Sequence, residues 1–196
     1  RSWANRTVVT APLFFVAADQ LSGAEQGSVI VLDGPEGRHG ATVMRIGVGE
    51  WVLLADGVGL RADAVVESIG VGELHLRVHE ITQEPQADPR FVLVQALTKG
   101  DRDEQAIEAA TELGVDEVVP WQAMRSIVIW RGERAARSRR QWESIVRAAS
   151  KQSRRARVPF TVALAGQQAA IPRLARAAHA AGRHVASALP LTGRSG

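Results

Sequence analysis

The stretch FVLVQALTKGDRDEQAIEAATELGVDEVVPW, residues 91–121, contains the pattern that decides the fold of the second half of the chain. It opens with the continuous apolar run 91–97, which is typical of a strand buried on both faces of a sheet. Asp101 and Glu104 then form a capping-box pattern at a helix start, and Gly114 stands where a helix C′ residue is expected. The last seven residues are again β-prone. A strand, a loop, a helix and a second strand form a βαβ unit, so we predict an α/β fold with a parallel sheet.

The first half of the chain is different because it consists of short β-prone runs with one helical piece at 35–45. Three Gly-Val-Gly tripeptides punctuate the runs and are typical of turns, since glycine tolerates positive φ. Short strands at this spacing predict a small barrel. The polar segment 81–90 is interpreted as a linker, so we expect a β-barrel domain at 1–82 and an α/β domain at 83–196. The β-prone runs are 13–17, 28–34, 51–57, 60–68 and 73–80.

The composition excludes several classes of protein. Of the 196 residues 45% are hydrophobic and 23% charged, which is ordinary for a globular protein. Cysteine is missing, so disulfides and thiolate chemistry are excluded. No apolar run has the length of a membrane span, and the apolar patch 11–18 is interpreted as a first strand rather than a signal peptide. We therefore expect a cytoplasmic protein.

Positive charge is concentrated in one part of the sequence. Residues 131–157 contain ten of the 24 cations and two of the 21 anions, so this stretch carries +8 and the remainder carries −5. All but two of the cations are arginine, whose planar fork can bind two phosphate oxygens at once. This division of charge indicates a polyanionic partner at one face.

The basic stretch is predicted to form a helix from Arg139 to about Arg155, after a possible strand at 126–130. Trp142, Ile145, Val146 and Ala149 follow helical spacing and form the inward stripe. The cations of another face also align along the helix and form a ridge, which consists of Arg140, Arg147, Lys151 and Arg154, with Arg155 and Arg157 beside them.

Three interpretations of this ridge are open. Charged helix faces are often only solvated, but solvated faces usually mix signs because like charges one turn apart repel. An anionic membrane surface is disfavoured, since the opposite stripe resembles a protein core. Nucleic acid is favoured, and RNA is favoured over duplex DNA because the sequence lacks helix-turn-helix, zinc-finger and basic-zipper signatures.

Candidate catalytic residues lie at predicted strand ends, where open parallel sheets bind ligands. Lys99 and Arg102 follow the first buried strand, and Arg125 follows the second. Lys99 could equally be a solvated loop residue, and Arg125 a surface ion-pair partner. No P-loop is present, and His75 and His79 lack a spacing suited to metal ligands on a strand, so no metal is predicted.

Three segments, taken in order, resemble one enzyme family. They are RHGATVMR at 38–45, ALTKGDRDEQAIEAATELGVDEVVPWQAMRSIV at 96–128 and RRQWESIVRAASKQSRRARVP at 139–159. The chain resembles the RsmE family, the small-subunit (16S) ribosomal RNA uridine N3-methyltransferases of the SPOUT class. No single motif is decisive, but their order and spacing make the resemblance fairly specific.

The resemblance implies an N-terminal PUA-like β-barrel that holds RNA and a C-terminal SPOUT α/β domain that contains a trefoil knot. It implies S-adenosylmethionine as the methyl donor, a uridine N3 in ribosomal RNA of the small subunit as the acceptor, and a homodimer. Arg125 and Lys99 are then the expected catalytic residues beside the uridine. The expected RNA-binding residues are His39, Arg45, Arg102, Arg147, Lys151, Arg154 and Arg155.

The end of the sequence departs from the family. The G-P-E-G-G turn and the L-G-x-x-x-L-R segment, which form the knot and the donor site in the family, are not found after Phe160. The knot region is therefore expected to be incomplete in this chain, and no residue is assigned to the donor. Two rival functions stay open: a noncatalytic RNA-binding module that lacks the donor site, and a structural or interaction protein whose arginines only solvate it.

Overall fold

The computed structural model describes residues 10–123, 126–162, 165–166, 179–180 and 183–188. The chain is a mixed α/β protein that divides into two compact units. The first unit consists of Arg1–Pro85 together with the short segment Arg154–Arg157, and the second consists of Gln86–Ser153 and Val158–Gly196. The later return of four residues to the first unit was not predicted.

The first unit contains one five-stranded sheet with the order β1-β3-β4-β5-β2. Strand β1 pairs with β3 in parallel, and the other neighbours are antiparallel. Among the described residues the sheet is open, so the closed barrel of the prediction is not observed. The strands are β1 (Leu13–Phe15), β2 (Val29–Leu32), β3 (Trp51–Ala55), β4 (Leu60–Gly70) and β5 (Glu73–Gln83).

Alternating side chains build the core of this unit. Leu74, Leu76 and Val78 on β5 are buried, while Arg77 and His79 on the opposite face are exposed. Two short helices accompany the sheet: α1 (Ala18–Ser22) and α2 (Gly34–Arg38), the latter continuing into a π-helical turn at His39–Val43. The core also contains Phe14, Ile30, Leu32, Val52, Leu54, Ala62, Ala64 and Val66.

The second unit contains the predicted parallel sheet, with the order β10-β6-β7-β8 and with β9 also paired to β7. Apolar side chains cover both faces of β6, because Leu93 belongs to one hydrophobic cluster and Val92 and Val94 belong to another. The strands are β6 (Arg90–Ala96), β7 (Glu117–Gln122), β8 (Phe160–Thr161), β9 (Ala165–Gly166) and β10 (Arg183–Ala188).

Two long helices cover one face of this sheet. Helix α3 (Arg102–Glu112) contributes the buried Ile107, and helix α4 (Gly132–Gln152) contributes Trp142 and Val146. The inward stripe predicted for α4 is confirmed for Trp142, Val146 and Ala149, which are at most 3% exposed, while its fourth member Ile145 is half-buried. The predicted bounds of this helix were wrong at both ends, because it begins seven residues before Arg139 and ends at Gln152.

The backbone after α4 explains its early end. Ser153 is the C-cap residue and its hydroxyl donates to the carbonyl oxygen of Ala149 at 2.6 Å. Arg154 then has a φ of 55°, in the left-handed region that a continuing right-handed helix cannot use. Arg154 and Arg155 therefore lie outside the helix on which they were predicted.

The segment at 126–130 does not form the strand that its apolar character suggested. Trp130 is buried and Val128 is half-buried against the helices, while Ile127 is 88% exposed. Val128 and Trp130 pack on the hydrophobic cluster of the helices, and no strand among the described residues pairs with this segment.

Candidate functional site

The loop that follows β6 is held by a reciprocal exchange of hydrogen bonds. The Asp103 backbone N–H donates to Thr98 Oγ1 at 3.1 Å, and the Thr98 N–H donates to Asp103 Oδ2 at 3.4 Å. The second carboxylate oxygen of Asp103 accepts from the Glu104 N–H at 3.1 Å. Asp103 is only 6% exposed, so these bonds compensate the burial of its carboxylate.

The exchange replaces the capping box predicted from Asp101 and Glu104. Asp101 is the N-cap residue of α3, but its side chain makes no cap hydrogen bond and accepts instead from Gln105 Nε2 at 2.9 Å. The buried Asp103 closes the loop, which leaves Lys99 and Arg102 exposed at the carboxyl end of β6. Lys99 lies in the loop where it was predicted, whereas Arg102 is the first residue of α3.

A cavity of 340 Å³ opens beside this loop, entirely within the second unit. Its volume is within the range of about 300–1,000 Å³ in which proteins bind small ligands. Three elements wall it: the loop with the start of α3, the segment before α4, and the first half of α4. The lining residues are Thr98, Lys99, Gly100, Asp103, Glu104, Val128, Trp130, Arg134, Arg137, Ser138, Gln141 and Trp142.

Two tryptophans form the rigid apolar side of the cavity. The rings of Trp130 and Trp142 meet edge to face, with their centroids 5.1 Å apart and their planes at 72°. Both tryptophans are at most 6% exposed. The backbone N–H of Trp130 donates to Gln122 Oε1 at 3.0 Å. Packing and a backbone hydrogen bond therefore fix this side.

Three cations line the rim of the cavity without partners. Lys99, Arg134 and Arg137 are exposed, and none of them makes a hydrogen bond or ion pair within the part of the chain that the structure describes. Of the two carboxylates on the wall, that of Asp103 is occupied by backbone N–H groups. The rim is thus arranged for an anion.

The sequence analysis did not identify Arg134 and Arg137 as site residues, nor the role of Asp103. The signal for the two arginines was present: together with Gln141 they lie at steps of three and four residues, which places them on one helix face. The signal for Asp103 was absent, because nothing in the sequence shows that its carboxylate turns back to Thr98.

The outward face of α4 carries the ridge in part. Arg140 and Arg147 are exposed and Lys151 is half-buried, and all three lie on the helix. On a neighbouring face Arg139 pairs with Glu143 at 3.1 Å. The ridge therefore consists of Arg140, Arg147 and Lys151, and the name "α4 ridge" is used for these three residues below.

Arg154 and Arg157 bind the backbone of the first unit. The Arg154 guanidinium donates to the carbonyl oxygens of Ala11 at 2.9 Å and Thr10 at 3.2 Å. The Arg157 guanidinium donates twice to the carbonyl oxygen of Glu84, at 2.7 Å and 3.2 Å. The prediction that Arg154 continues the ridge was wrong, since the turn at positive φ removes it from the helix.

The other predicted site residues are placed as follows. His39 is exposed on the π-helical turn, with its ring 6.4 Å from that of Phe14, and Arg45 is exposed in the loop after that turn with a φ of 55°. Arg155 is half-buried in the segment of the first unit. Arg125 lies outside the described residues. The roles assigned to these residues stay predictions.

The two strand histidines take structural positions. His75 Nε2 lies 3.0 Å from Glu73 Oε1, and the His79 ring packs edge to face on Trp51 with the centroids 5.2 Å apart. Within the described ranges no three His, Asp or Glu side chains are grouped so as to hold a metal ion. Within the same ranges, every helix is too short or too polar to cross a membrane.

Comparison with known proteins gives one family match. A family described as "RNA methyltransferase domain" matches residues 85–191, which is more than half of the chain and contains the cavity and α4. The match also contains Arg125, which lies outside the described residues.

Individual relatives agree with this match. The chain is 47% identical over 151 residues to "Ribosomal RNA small subunit methyltransferase E" of Mycobacterium tuberculosis, covering 77% of this chain and 56% of the relative. It is 31% identical over 136 residues to the protein of the same name from Bacillus subtilis, covering 69% and 53%. The chain thus spans about half the length of the curated relatives it matches.

A solved structure is similar as well. The crystal structure of a ribosomal RNA small subunit methyltransferase E from Neisseria gonorrhoeae, bound to S-adenosyl methionine, matches with a TM-score of 0.64 and 28% identity. The match covers 80% of this chain and 63% of that chain.

Proposed function

The chain belongs to the RNA methyltransferase family, and from this premise we propose that it acts in methyl transfer to small-subunit ribosomal RNA. The observation that carries the proposal is the match over 85–191, supported by relatives that share the name of the small-subunit enzyme. The resemblance of three ordered segments to the RsmE family specifies the acceptor as a uridine N3. The similar structure with S-adenosyl methionine supports that compound as the methyl donor.

The α4 ridge and the cavity rim supply the charge that this function needs. RNA binding depends on neutralising phosphates, and guanidinium and ammonium groups on one helix face do so along the strand. We assign RNA contact to Arg147, Lys151 and Arg102, with His39 and Arg45 contributing from the first unit. Arg155 retains this assignment, whereas the guanidinium of Arg154 is engaged with backbone carbonyls.

Lys99 and Arg125 are proposed to act on the acceptor base. The N3 atom of uridine carries a proton that must leave before or as the methyl group arrives. A positive side chain beside the ring stabilises the anionic base and so favours loss of that proton. Lys99 is suited to this role because it is exposed at the carboxyl end of β6 and makes no ion pair among the described residues.

No residue of this chain is assigned to the methyl donor. The cavity rim is unsuited to it, because S-adenosyl methionine carries a sulfonium and an ammonium group that the three rim cations would repel. The donor site is proposed to form where the family has its trefoil knot.

The remaining features of the proposal follow the RsmE family. They are a PUA-like barrel built on the first unit, a homodimer as the working unit, the small ribosomal subunit as partner and a cytoplasmic location. The five-stranded sheet of the first unit supports the first of these, since it supplies strands from which a barrel is built.

The test combines donor binding with methyl transfer. Calorimetric titration with S-adenosyl methionine and transfer of labelled methyl to unmodified small ribosomal subunits are both expected to be positive, with the label recovered as N3-methyluridine. Lys99→Ala is expected to lower the rate about a hundredfold, because it removes a charge that stabilises the reacting base. Arg139→Ala is the control, since Arg139 makes only an exposed pair with Glu143.

The second candidate is a noncatalytic RNA-binding module, which the charge of the α4 ridge alone would support. It predicts RNA binding without donor binding and without transfer. That result would overturn the proposed methyltransferase activity and support the RNA-binding module. A protein that binds neither RNA nor the donor would overturn both candidates.

A further inference from the structure

The cavity of the second unit combines features that no basic helix face has by itself. Its rim holds Lys99, Arg134 and Arg137, three cations that have no partner among the described residues, and its inner side is the fixed pair Trp130 and Trp142. Gln141, Ser138 and Thr98 add an amide and two hydroxyl groups. A ligand that fits all three parts has an anionic end, a flat apolar body and hydrogen-bonding edges.

We propose that this cavity binds one unpaired nucleotide of the RNA, with its phosphate on Arg134 and Arg137, its base toward the tryptophan side and Lys99 beside the base. Arginine forks are the groups that proteins use for phosphate. A base presents a π-face and polar edges, which aromatic walls and amide groups bind in single-stranded RNA. The proposal rests on the proposed function, since it takes the RNA as the source of the nucleotide.

The size of the cavity limits the ligand to a single unit. A volume of 340 Å³ is near the lower end of the range for ligand sites, so a duplex or a stacked run of bases does not enter. A base must therefore leave its stack to reach the tryptophans, as in other enzymes that act on a nucleotide taken out of its helix.

The position of the cavity favours RNA over a free nucleotide as the natural source. Arg137 in the rim and Arg140 in the α4 ridge are three residues apart on one helix, so their side chains are neighbours on its surface. Arg147 and Lys151 continue along the same helix. A strand bound along the α4 ridge can thus place one of its phosphates at the rim.

The rim is also prepared for its ligand before binding. The exchange between Thr98 and Asp103 fixes the loop that carries Lys99, and it uses the Asp103 carboxylate in hydrogen bonds with backbone N–H groups. Glu104 is the one further carboxylate in the lining, and it forms no ion pair with the rim cations within the described residues.

The first experiment observes the cavity directly. Uridine 5′-monophosphate is titrated into the protein, and the indole N–H signals of Trp130 and Trp142 are followed by nuclear magnetic resonance. We expect saturable shifts of both signals, weaker shifts with inorganic phosphate or with uridine, and none with the double variant Arg134→Ala/Arg137→Ala. Equal responses to inorganic phosphate and to the nucleotide, or indole shifts caused by S-adenosyl methionine alone, would overturn the proposal.

The matched control removes the same charge from the same helix. Arg131 and Arg139 are exposed, lie at the N-cap and on α4, and do not line the cavity. Arg131→Ala/Arg139→Ala is therefore expected to leave the indole shifts unchanged. If both double variants lose the shifts equally, general charge rather than the cavity binds the nucleotide, and the proposal fails.

The second experiment measures RNA as the source. Binding of a labelled octamer of uridine is followed by fluorescence anisotropy over a range of potassium chloride. The slope of log affinity against log salt should become shallower by about 0.7 in Arg134→Ala/Arg137→Ala relative to the control, which corresponds to one phosphate of a single strand. An unchanged slope would contradict a phosphate in the rim.

The two experiments separate this proposal from the proposed function. Indole shifts without any binding of the octamer would support a nucleotide cavity and overturn the RNA enzyme. Octamer binding that depends on Arg147 and Lys151, but not on Arg134 and Arg137, would overturn the cavity proposal and leave the proposed function intact.

Discussion

Two groups of arginines, adjacent in the sequence, have different uses in the structure. On α4, Arg134, Arg137 and Arg140 are exposed at the cavity rim and the ridge, and they make no ion pair among the described residues. Those of the segment Arg154–Arg157 include two that donate to backbone carbonyls of the first unit. The border between the two groups is a single turn, where Ser153 caps the helix and Arg154 takes a positive φ.

The difference shows that cations that are neighbours in the sequence need not belong to the same binding surface. A guanidinium group has five donors in a fixed fork, so it satisfies carbonyl oxygens as well as it binds phosphate. Arg157 satisfies the carbonyl of Glu84, just after β5, whereas Arg140 makes no hydrogen bond within the described part of the chain. Charge counting treats them as equal, whereas hydrogen bonding separates a structural cation from one available to RNA.

The largest effect is expected where the structural arginine meets the backbone of the first unit. Gly59 has a φ of 116°, and a Cβ atom there would lie 2.4 Å from Arg157 Nη2. Gly59→Ala adds backbone strain of about 1–3 kcal/mol and displaces the Arg157 guanidinium from Glu84. We expect a loss of about 3 kcal/mol in the free energy of unfolding, measured by urea unfolding with far-ultraviolet circular dichroism.

A double-mutant cycle sharpens this expectation. In an Arg157→Ala background there is no guanidinium to displace. Gly59→Ala should then lower the free energy of unfolding only by the backbone strain. Gly49→Ala is the control, because Gly49 also has a positive φ, 87°, but a Cβ atom there meets nothing within 4 Å. If Gly59→Ala and Gly49→Ala lower the free energy of unfolding equally and the cycle shows no coupling, Arg157 does not have the structural role assigned to it.

The next effect tests Arg157 alone. Arg157→Ala removes two hydrogen bonds from a charged donor to the Glu84 carbonyl, and bonds of this kind contribute about 1.5–3 kcal/mol. We expect the free energy of unfolding to fall by about 2 kcal/mol, while the salt dependence of RNA affinity stays within error of the unmodified chain. A flattened salt slope with unchanged stability would reverse the comparison, since Arg157 would then belong to the RNA interface.

The α4 ridge is expected to respond in the opposite way. Arg147→Ala/Lys151→Ala removes two side chains that are proposed to contact RNA phosphates, so affinity for single-stranded RNA should fall about tenfold or more at low salt and the slope against log salt should become shallower by about 1.4. Stability is expected to change less than in Arg157→Ala, because Arg147 is exposed and Lys151 is half-buried on the helix surface. Fluorescence anisotropy and urea unfolding give the two readings.

Much of the fold followed from local pattern in the sequence. The alternation of Leu74, Leu76 and Val78 predicted a strand with one buried face, and all three are buried on β5. The apolar run before Lys99 predicted a central strand of a parallel sheet, and β6 pairs in parallel on both sides. Both predictions were confirmed because the period of side chains along one element determines which of them face the core.

The errors occurred where a neighbour in space, rather than in sequence, decides the outcome. The helical spacing of Arg154 with Lys151 is real, but the carbonyls of Thr10 and Ala11 lie more than 140 residues away and cannot be seen from that spacing. The cavity is a similar case, since Lys99 was identified from its strand end but Arg134 and Trp130 join it only through packing. The sequence pattern identified single residues of the site, such as Lys99, but not which residues pack together to form it.

The smallest effect is expected for Arg139, an α4 arginine outside both the α4 ridge and the cavity rim. In sequence Arg139 lies between the arginines of the cavity rim and those of the α4 ridge. It pairs with Glu143 at 3.1 Å, with both side chains more than 40% exposed. An exposed pair one helical turn apart contributes about 0.3–0.5 kcal/mol, so Arg139→Ala should lower stability by no more than that and leave the nucleotide-induced indole shifts unchanged. Urea unfolding and the uridine 5′-monophosphate titration measure both. A loss above about 1 kcal/mol, or a loss of the indole shifts, would mean that charge anywhere on α4 has the effect assigned here to particular faces, because Arg139 belongs to neither the α4 ridge nor the cavity rim.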